Sequence, residues 1–246
     1  MPNLAETVIQ LAEAEIGYLE KKSSASLDSK TANAGSGNYT KYWRDIYPSY
    51  QGQPWCQCFV DWCFARAYGE VEAKKLLNMT GGWSFYTPSA ANSFKGASQW
   101  HTSGPQAGDL IYFKNSARIH HVGIVYKVDS SRVYTIEGNT SGGSAVIANG
   151  GAVCKKSYLL NNSAIAGYGR PKYDAAAFVP YKVKTTGNLH VRAEATAASK
   201  SLGILNKDHV FTIRGVDGSW GKVLVIADSN GKTVSGWVSL RYTKKL

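Results

Sequence analysis

The sequence predicts an α+β domain followed by a small all-β barrel, and two changes along its 246 residues carry that reading. Apolar residues recur at helical spacing to about residue 96 and alternate from Gly108 onward. The composition then shifts near residues 173–181 to the Ala- and Pro-containing DAAAFVP, after which short strand-like runs alternate with glycine turns. No repeat of 20–50 residues is present, which excludes a solenoid.

Asn3 and Glu6 form a helix-start pair, and Leu4, Val8, Leu11, Ala12, Ile16 and Leu19 follow at helical spacing, which predicts a helix over 4–20. KKSSASLDSKTANAGSGNYT is polar and reads as a long surface loop. After Pro54, the residues Cys56, Phe59, Val60, Cys63, Phe64 and Ala67 share one helical face, and Gly69 supplies the stop. A short helix over 71–78 and another from Thr87-Pro88 to Gly96 complete the helical part. GDLIYF, HHVGIVYKV and RVYTIEGN read as successive strands, the last two joined by a turn at 129–131. Further strands are expected at 145–147, 151–155 and 165–170. These elements place a first domain at 1–173, a connector at 174–180 and a second domain at 181–246. The second domain should hold five short strands: KVKTTG, NLHVRA, HVFTIRG, WGKVLVIAD and VSGWVSL.

With 43% hydrophobic and 18% charged residues the chain is neither disordered nor membrane-spanning. Its 28 Lys and Arg outnumber 17 Asp and Glu, a net +11. Residues 174–246 carry 11 of the bases and 5 of the acids, so the tail is charged more than twice as densely as the front. An anionic partner is expected; no basic run supports nucleic acid, and no membrane partner is expected. Four cysteines, three of them between 56 and 63, do not make a secreted disulfide framework. The amino terminus has no basic n-region or apolar h-region, and Glu6, Glu13, Glu15 and Glu20 interrupt its apolar residues. Synthesis in the cytoplasm without a signal peptide, as a monomer, is the expectation.

A thiol at a helix amino terminus is a candidate nucleophile, because unpaired amides and the helix dipole favour the thiolate. Cys56 is the one cysteine so placed; Cys58, Cys63 and Cys154 read as structural. The C-x-C-x4-C spacing lacks the paired CxxC of structural zinc, so no metal site is expected there. A nucleophile needs a base, and the base an orienting acceptor. His121 shares a strand face with Gly123 and Val125; if Asn139 lies opposite His121, then Glu137 lies opposite Gly123 on that face. A shift of one residue would bring His120 into play instead.

GQPWCQCFVDWCF, QAGDLIYF, HHVGIVYKV and TIEGNTSG, in that order and spacing, resemble the CHAP family of cysteine, histidine-dependent amidohydrolases/peptidases. The resemblance covers about residues 1–173. It implies a papain-like layout, cleavage of bacterial peptidoglycan, Cys56 as nucleophile, His121 rather than His120 as base, and Glu137 and Asn139 as orienting residues. Some phage members bind calcium through acids flanking the nucleophile; here Cys58 and the acid-free YPSYQGQPW stand in those places, so no cofactor is expected there. The loop bearing Asp28, Asn33 and Asn38 is the other place a cation could be held. Trp55 should line the cleft, with Trp83 and Tyr86 as further substrate contacts; for Trp83, Tyr86 and Trp100 core packing is the alternative and the commoner role of such residues.

GNLHVRAEATAASKSLGILNKDHVFTIRG, WGKV and GWVSLRY resemble the bacterial SH3-like cell-wall-binding domains joined to such hydrolases. That resemblance implies wall contacts at Trp220, Trp237 and Tyr242, and a basic barrel suits anionic wall polymers. The whole resembles a phage endolysin, a bacteriolytic enzyme reaching the wall after release through a holin or host lysis. The expected activity is N-acetylmuramoyl-L-alanine amidase; a peptidoglycan endopeptidase and an inactive wall-binding module are the alternatives.

Overall fold

The computed structural model describes residues 4–143, 145–173, 180–217 and 219–246, and places two compact units at Asn3–Ala175 and Ala176–Leu246. The connector expected at 174–180 lies almost wholly outside the described residues, as does Asn3.

In the first unit, helices α1 (Leu4–Ala14), α2 (Lys41–Ile46), α3 (Cys56–Tyr68), α4 (Glu70–Leu76) and α5 (Thr87–Gly96) precede the sheet. That sheet is formed by β1 (Trp100–His101), β2 (Leu110–Lys114), β3 (Ile119–Val128), β4 (Arg132–Thr140), β5 (Ala152–Leu159) and β6 (Ile165–Gly169). The strands pair antiparallel in the order β1-β6-β2-β3-β4-β5. The unit is therefore α+β, as the change of period at Gly108 predicts.

Four local expectations change. Helix α1 ends at Ala14, six residues short of Glu20. Gly17 turns the chain at φ 83°, and residues 17–20 run alongside the start of β5, with Gly17 N–H donating to Val153 O (3.0 Å) and Val153 N–H to Tyr18 O (2.9 Å). A glycine adopts that left-handed turn without a Cβ penalty, and pairing with a strand far along the chain outweighs the helical period. Helix α2 follows that loop, in a stretch to which the sequence reading gives no element, started by Thr40, whose hydroxyl accepts from Trp43 N–H at 3.2 Å. No strand forms at 145–147. Finally, α3 is not one-faced: Gln57, Cys58, Asp61 and Trp62 are buried together with its apolar side. Contacts with α1, α2, β3 and β4 enclose it, making it the central helix of the unit.

The second unit is all-β. Strands β7 (Tyr181–Thr185), β10 (Val210–Ile213) and β14 (Thr243–Lys245) form one sheet. Strands β8 (Leu189–Arg192), β9 (Ser201–Leu205), β11 (Gly215–Asp217), β12 (Trp220–Ala227) and β13 (Thr233–Ser239) form the other. Val183, Val191, Leu205, Phe211, Ile213, Val223 and Val238 close a common core between them. Strands β9, β11 and β14 escape the sequence reading because they are short or lie among turn residues. Among the described residues, no helix is long and apolar enough to cross a membrane.

Candidate active site

Helix α3 begins at Cys56 itself and ends at Gly69, as the sequence predicts. Its N-cap, Trp55, offers no oxygen to the first turn, and the first intrahelical bond runs from Phe59 N–H to Trp55 O at 2.9 Å. The amides ahead of it have no partner within the helix, and such a helix start favours an anion. Cys56 is almost buried, at 5% exposure.

Strands β3 and β4 pair Ile124 with Ile136. The pairing ends there, short of the expected His121–Asn139 pair, and just beyond it Gly123 lies against Glu137. A Cβ on Gly123 would approach Glu137 Cγ to 2.5 Å, so the carboxylate crosses a gap that only glycine leaves. His121 and Glu137 are fully buried, and their Nε2 and Oε2 lie 2.9 Å apart. Against a carboxylate, Nε2 carries the proton and donates, which leaves Nδ1 for Cys56. Nδ1 has no hydrogen bond of ordinary length, yet the thiol is near enough to act on the ring electrostatically. Burial by itself would push the imidazole down; the Cys56 thiol and the Glu137 carboxylate outweigh it and raise His121 to about 9. His120 is half-buried, and burial followed by the neighbouring His121 and Arg118 lowers it.

Glu137 is held from two further sides. Thr135 Oγ1 donates to Oε1 at 2.5 Å and Tyr158 OH donates to Oε2 at 3.2 Å, while Phe113 stacks on the His121 ring at 5.9 Å. Sequence reasoning missed Thr135, Phe113 and Tyr158; the i, i+2 spacing of Thr135 and Glu137 was the one available signal. Asn139 behaves otherwise. It sits at φ 57° in a bulge of the β4–β5 pairing, buried, with neither side-chain polar atom hydrogen-bonded. His121 is thus hydrogen-bonded to Glu137 and not to Asn139.

Next to Cys56 along α3 lies a buried polar pair that the sequence did not reveal. Gln57 Nε2 donates to Asp61 Oδ1 at 2.9 Å, one helical turn apart, while Asp61 Oδ2 and the nearby Tyr112 hydroxyl have no partner. Burial raises the Asp61 carboxyl well above the usual range, with Gln57 opposing only in part. A carboxyl raised in the folded state favours folding at low pH; that advantage is complete below the unfolded value of 3.8 and is lost as pH rises from there through the raised folded value. Asp61→Asn is therefore expected to raise the melting temperature at pH 7 by about 2–4 °C per kcal/mol recovered, and to raise it far less near pH 3.5. Thermal unfolding at the two pH values checks this.

The aromatic residues divide. Trp55 is fully buried, stacked on Tyr42 with centroids 5.3 Å apart and donating from Nε1 to Glu20 at 2.9 Å, so it lines no cleft. The buried carboxylate of Glu20 turns the indole inward, which adjacency to Cys56 could not foretell. Trp83 is half-buried beneath Lys74, Trp100 likewise beneath Lys95, and Tyr86 is 55% exposed with Arg118 over its ring at 5.2 Å. Tyr47 and Tyr50, both exposed, pack against Phe85 on the turn that leads to Cys56. They were not singled out from sequence, although Tyr47-Pro-Ser-Tyr50 is a legible aromatic turn.

The loop considered for a cation is otherwise engaged. Arg44 binds both Asp28 oxygens at 2.9 Å, and the Asn33 amide donates to Ser23 and Ala25. Among the described residues, no three His, Cys, Asp or Glu side chains gather to hold a metal ion. Burial raises Cys58 and Cys63 well above the usual thiol range, and raises half-buried Cys154 as well, which keeps all three as thiols.

In the second unit, Trp220 and Tyr242 line one groove, whereas Trp237 does not and carries Lys222 over its ring at 4.9 Å. Trp237 lies opposite Lys222 in the β12–β13 pairing, while Trp220 lies opposite Ser239.

A helix-start thiol beside an imidazole anchored by a carboxylate on an antiparallel sheet defines a Cys-His-Glu constellation able to cleave acyl bonds. In comparison with known families, residues 48–139 match the CHAP domain and residues 187–244 the bacterial SH3 domain. The two matches follow one another in the order expected from the sequence, a CHAP domain and then a bacterial SH3 domain. No curated protein matches the sequence. Among solved structures, the crystal structure of Ly7917 is similar at 15% identity over 98% of this chain and 97% of that one, with a TM-score of 0.42. Ly7917 with the hydrolyzing product of MDP gives 16% identity over the same shares and a TM-score of 0.40. NlpC2 from Trichomonas vaginalis gives 6% over 59% of this chain and 46% of that one, with a TM-score of 0.23.

Proposed function

We propose that the protein is a cysteine-dependent peptidoglycan amidase that hydrolyses the bond between N-acetylmuramic acid and L-alanine. The observation that carries this reading is the buried His121–Glu137 pair at 2.9 Å beside the helix-start thiol of Cys56. In the proposed reaction the Cys56 thiol proton is held on His121, as a thiolate–imidazolium pair, and the Cys56 sulfur attacks the amide carbonyl. The carbonyl oxygen, now negative, is stabilised by the free amides of the first turn of α3. As the C–N bond breaks, the His121 imidazolium protonates the leaving amine, and a thioester remains. His121 then removes a proton from water, the hydroxide adds to the thioester, and the carboxylic acid departs with return of the thiol proton. Glu137 keeps Nε2 protonated and compensates the imidazolium charge throughout.

The choice of bond draws on the exposed rings on either side of these residues. Tyr47 and Tyr50 lie on the turn before Cys56, and Tyr86 precedes Thr87, whose hydroxyl donates to Ile119 O at 3.1 Å, two residues before His121. Such ring faces suit the sugar that an amidase must hold on the acyl side of its bond. Mass spectrometry of fragments released from purified walls tests the proposal. Free L-alanine amino termini and unsubstituted N-acetylmuramic acid are expected. New amino termini within the stem or cross-bridge would instead establish an endopeptidase.

A further inference from the structure

The second unit contains a groove with a cavity volume of about 570 Å³, in the size range of ligand sites. Its lining includes His190, Arg192, Trp220, Arg241 and Tyr242, and no carboxylate. Arg192 is held in place by its Nη1–H donating to Ser199 O at 2.7 Å. Arg241 is exposed and has no ion pair among the described residues, and Tyr242 is 57% exposed. Asn188, Ser219 and Ser239 add hydrogen-bonding groups at the walls.

We propose that this groove binds a phosphodiester-linked sugar polymer of the bacterial wall, with the phosphate on Arg241 and Arg192 and a sugar ring against Trp220 and Tyr242. Two guanidiniums and an imidazole without a carboxylate select an anion, and the guanidinium fork matches phosphate oxygens. The two aromatic faces select a ligand that also presents a C–H surface, which a bare phosphate does not. A stem peptide brings only one or two carboxylates. A polymer with a charge at every repeat also engages the surrounding lysines of a segment that carries 11 bases and 5 acids. The cell-wall reading above supplies the surface on which the ligand is met; the groove's chemistry supplies its class.

The test uses the full chain with Cys56→Ala, so that binding is read without cleavage. Purified walls are divided, and one portion is treated with hydrofluoric acid, which breaks phosphodiesters and leaves peptidoglycan. Binding is expected to fall about tenfold on treated walls, and to weaken with salt on untreated ones. Added to that chain, Arg241→Glu and Tyr242→Ala should each weaken binding to untreated walls by about fivefold or more. Lys232→Glu, the same charge change on a turn outside the groove, should weaken it less than about twofold. Equal binding to treated and untreated walls would overturn the proposal in favour of peptidoglycan itself. Equal losses from Lys232→Glu and Arg241→Glu would overturn it in favour of net charge, and full binding by Tyr242→Ala with Arg241→Glu would remove the groove. Thermal unfolding of each variant verifies that it is folded. Failure of the hydrolase reading appears separately, as unmodified protein that releases no wall fragments.

Discussion

Replacing Cys56 by Ala is expected to lower release of wall fragments by about 10³–10⁴-fold or more, because nothing else in the site can form the covalent intermediate. Fold should survive. The side chain is small, and removal of one sulfur leaves a cavity whose cost is about 1 kcal/mol, well below the stability of a domain. Circular dichroism and thermal unfolding of the Cys56→Ala protein check the fold, and fragment release from walls checks the chemistry. Substitution of the buried Cys63 should show the opposite pattern: its thiol lies wholly inside the core, so stability falls while the chemistry of the remaining folded protein persists. Wild-type release by Cys56→Ala would end the thiol mechanism.

The second large effect belongs to His121 and its carboxylate. His121→Ala should cost nearly as much as loss of Cys56, since base and nucleophile act as one unit and their losses do not add. Glu137→Gln keeps the shape of the site and removes its charge, so a loss of about 10²–10⁴-fold is expected, with a diagnostic change in pH dependence. In the unmodified protein the imidazolium persists to about pH 9, so activity should decline on the alkaline side near that value. Removing the Glu137 charge should bring this alkaline limb down in pH. The same shift makes a stability statement. A folded-state value of about 9 against an ordinary 6.5 stabilises the fold fully below pH 6.5, and the contribution is lost as pH rises through 9. Rate profiles and melting temperatures from pH 6 to pH 10 test both claims. An unchanged alkaline limb in Glu137→Gln would show that another group governs it.

The main chemistry was legible because it follows from local periodicity. A proline, an aromatic residue and a run ending at Gly69 place Cys56 at the first turn of a helix, since helix starts and stops depend on a few neighbouring residues. Alternation likewise puts His121 and Gly123 on one strand face, but a bulge between Val125 and Lys127 sets the register that brings Glu137 over Gly123 and next to His121. Other features depend on residues far apart in sequence, and no local pattern encodes them. Tyr158, 21 positions beyond Glu137, reaches its carboxylate only because β5 pairs with β4. Trp55 is turned into the core by Glu20, 35 positions away, and α1 stops at Ala14 because the chain just beyond it pairs with β5. Asp61 looks like a solvated position on a helix read alone; enclosure of α3 on all sides makes it a buried carboxyl. In the second unit, composition and alternation were enough to indicate a basic barrel. Strand register decides that Trp220 shares a groove with Tyr242 while Trp237 lies under Lys222, because register sets which side chains become neighbours.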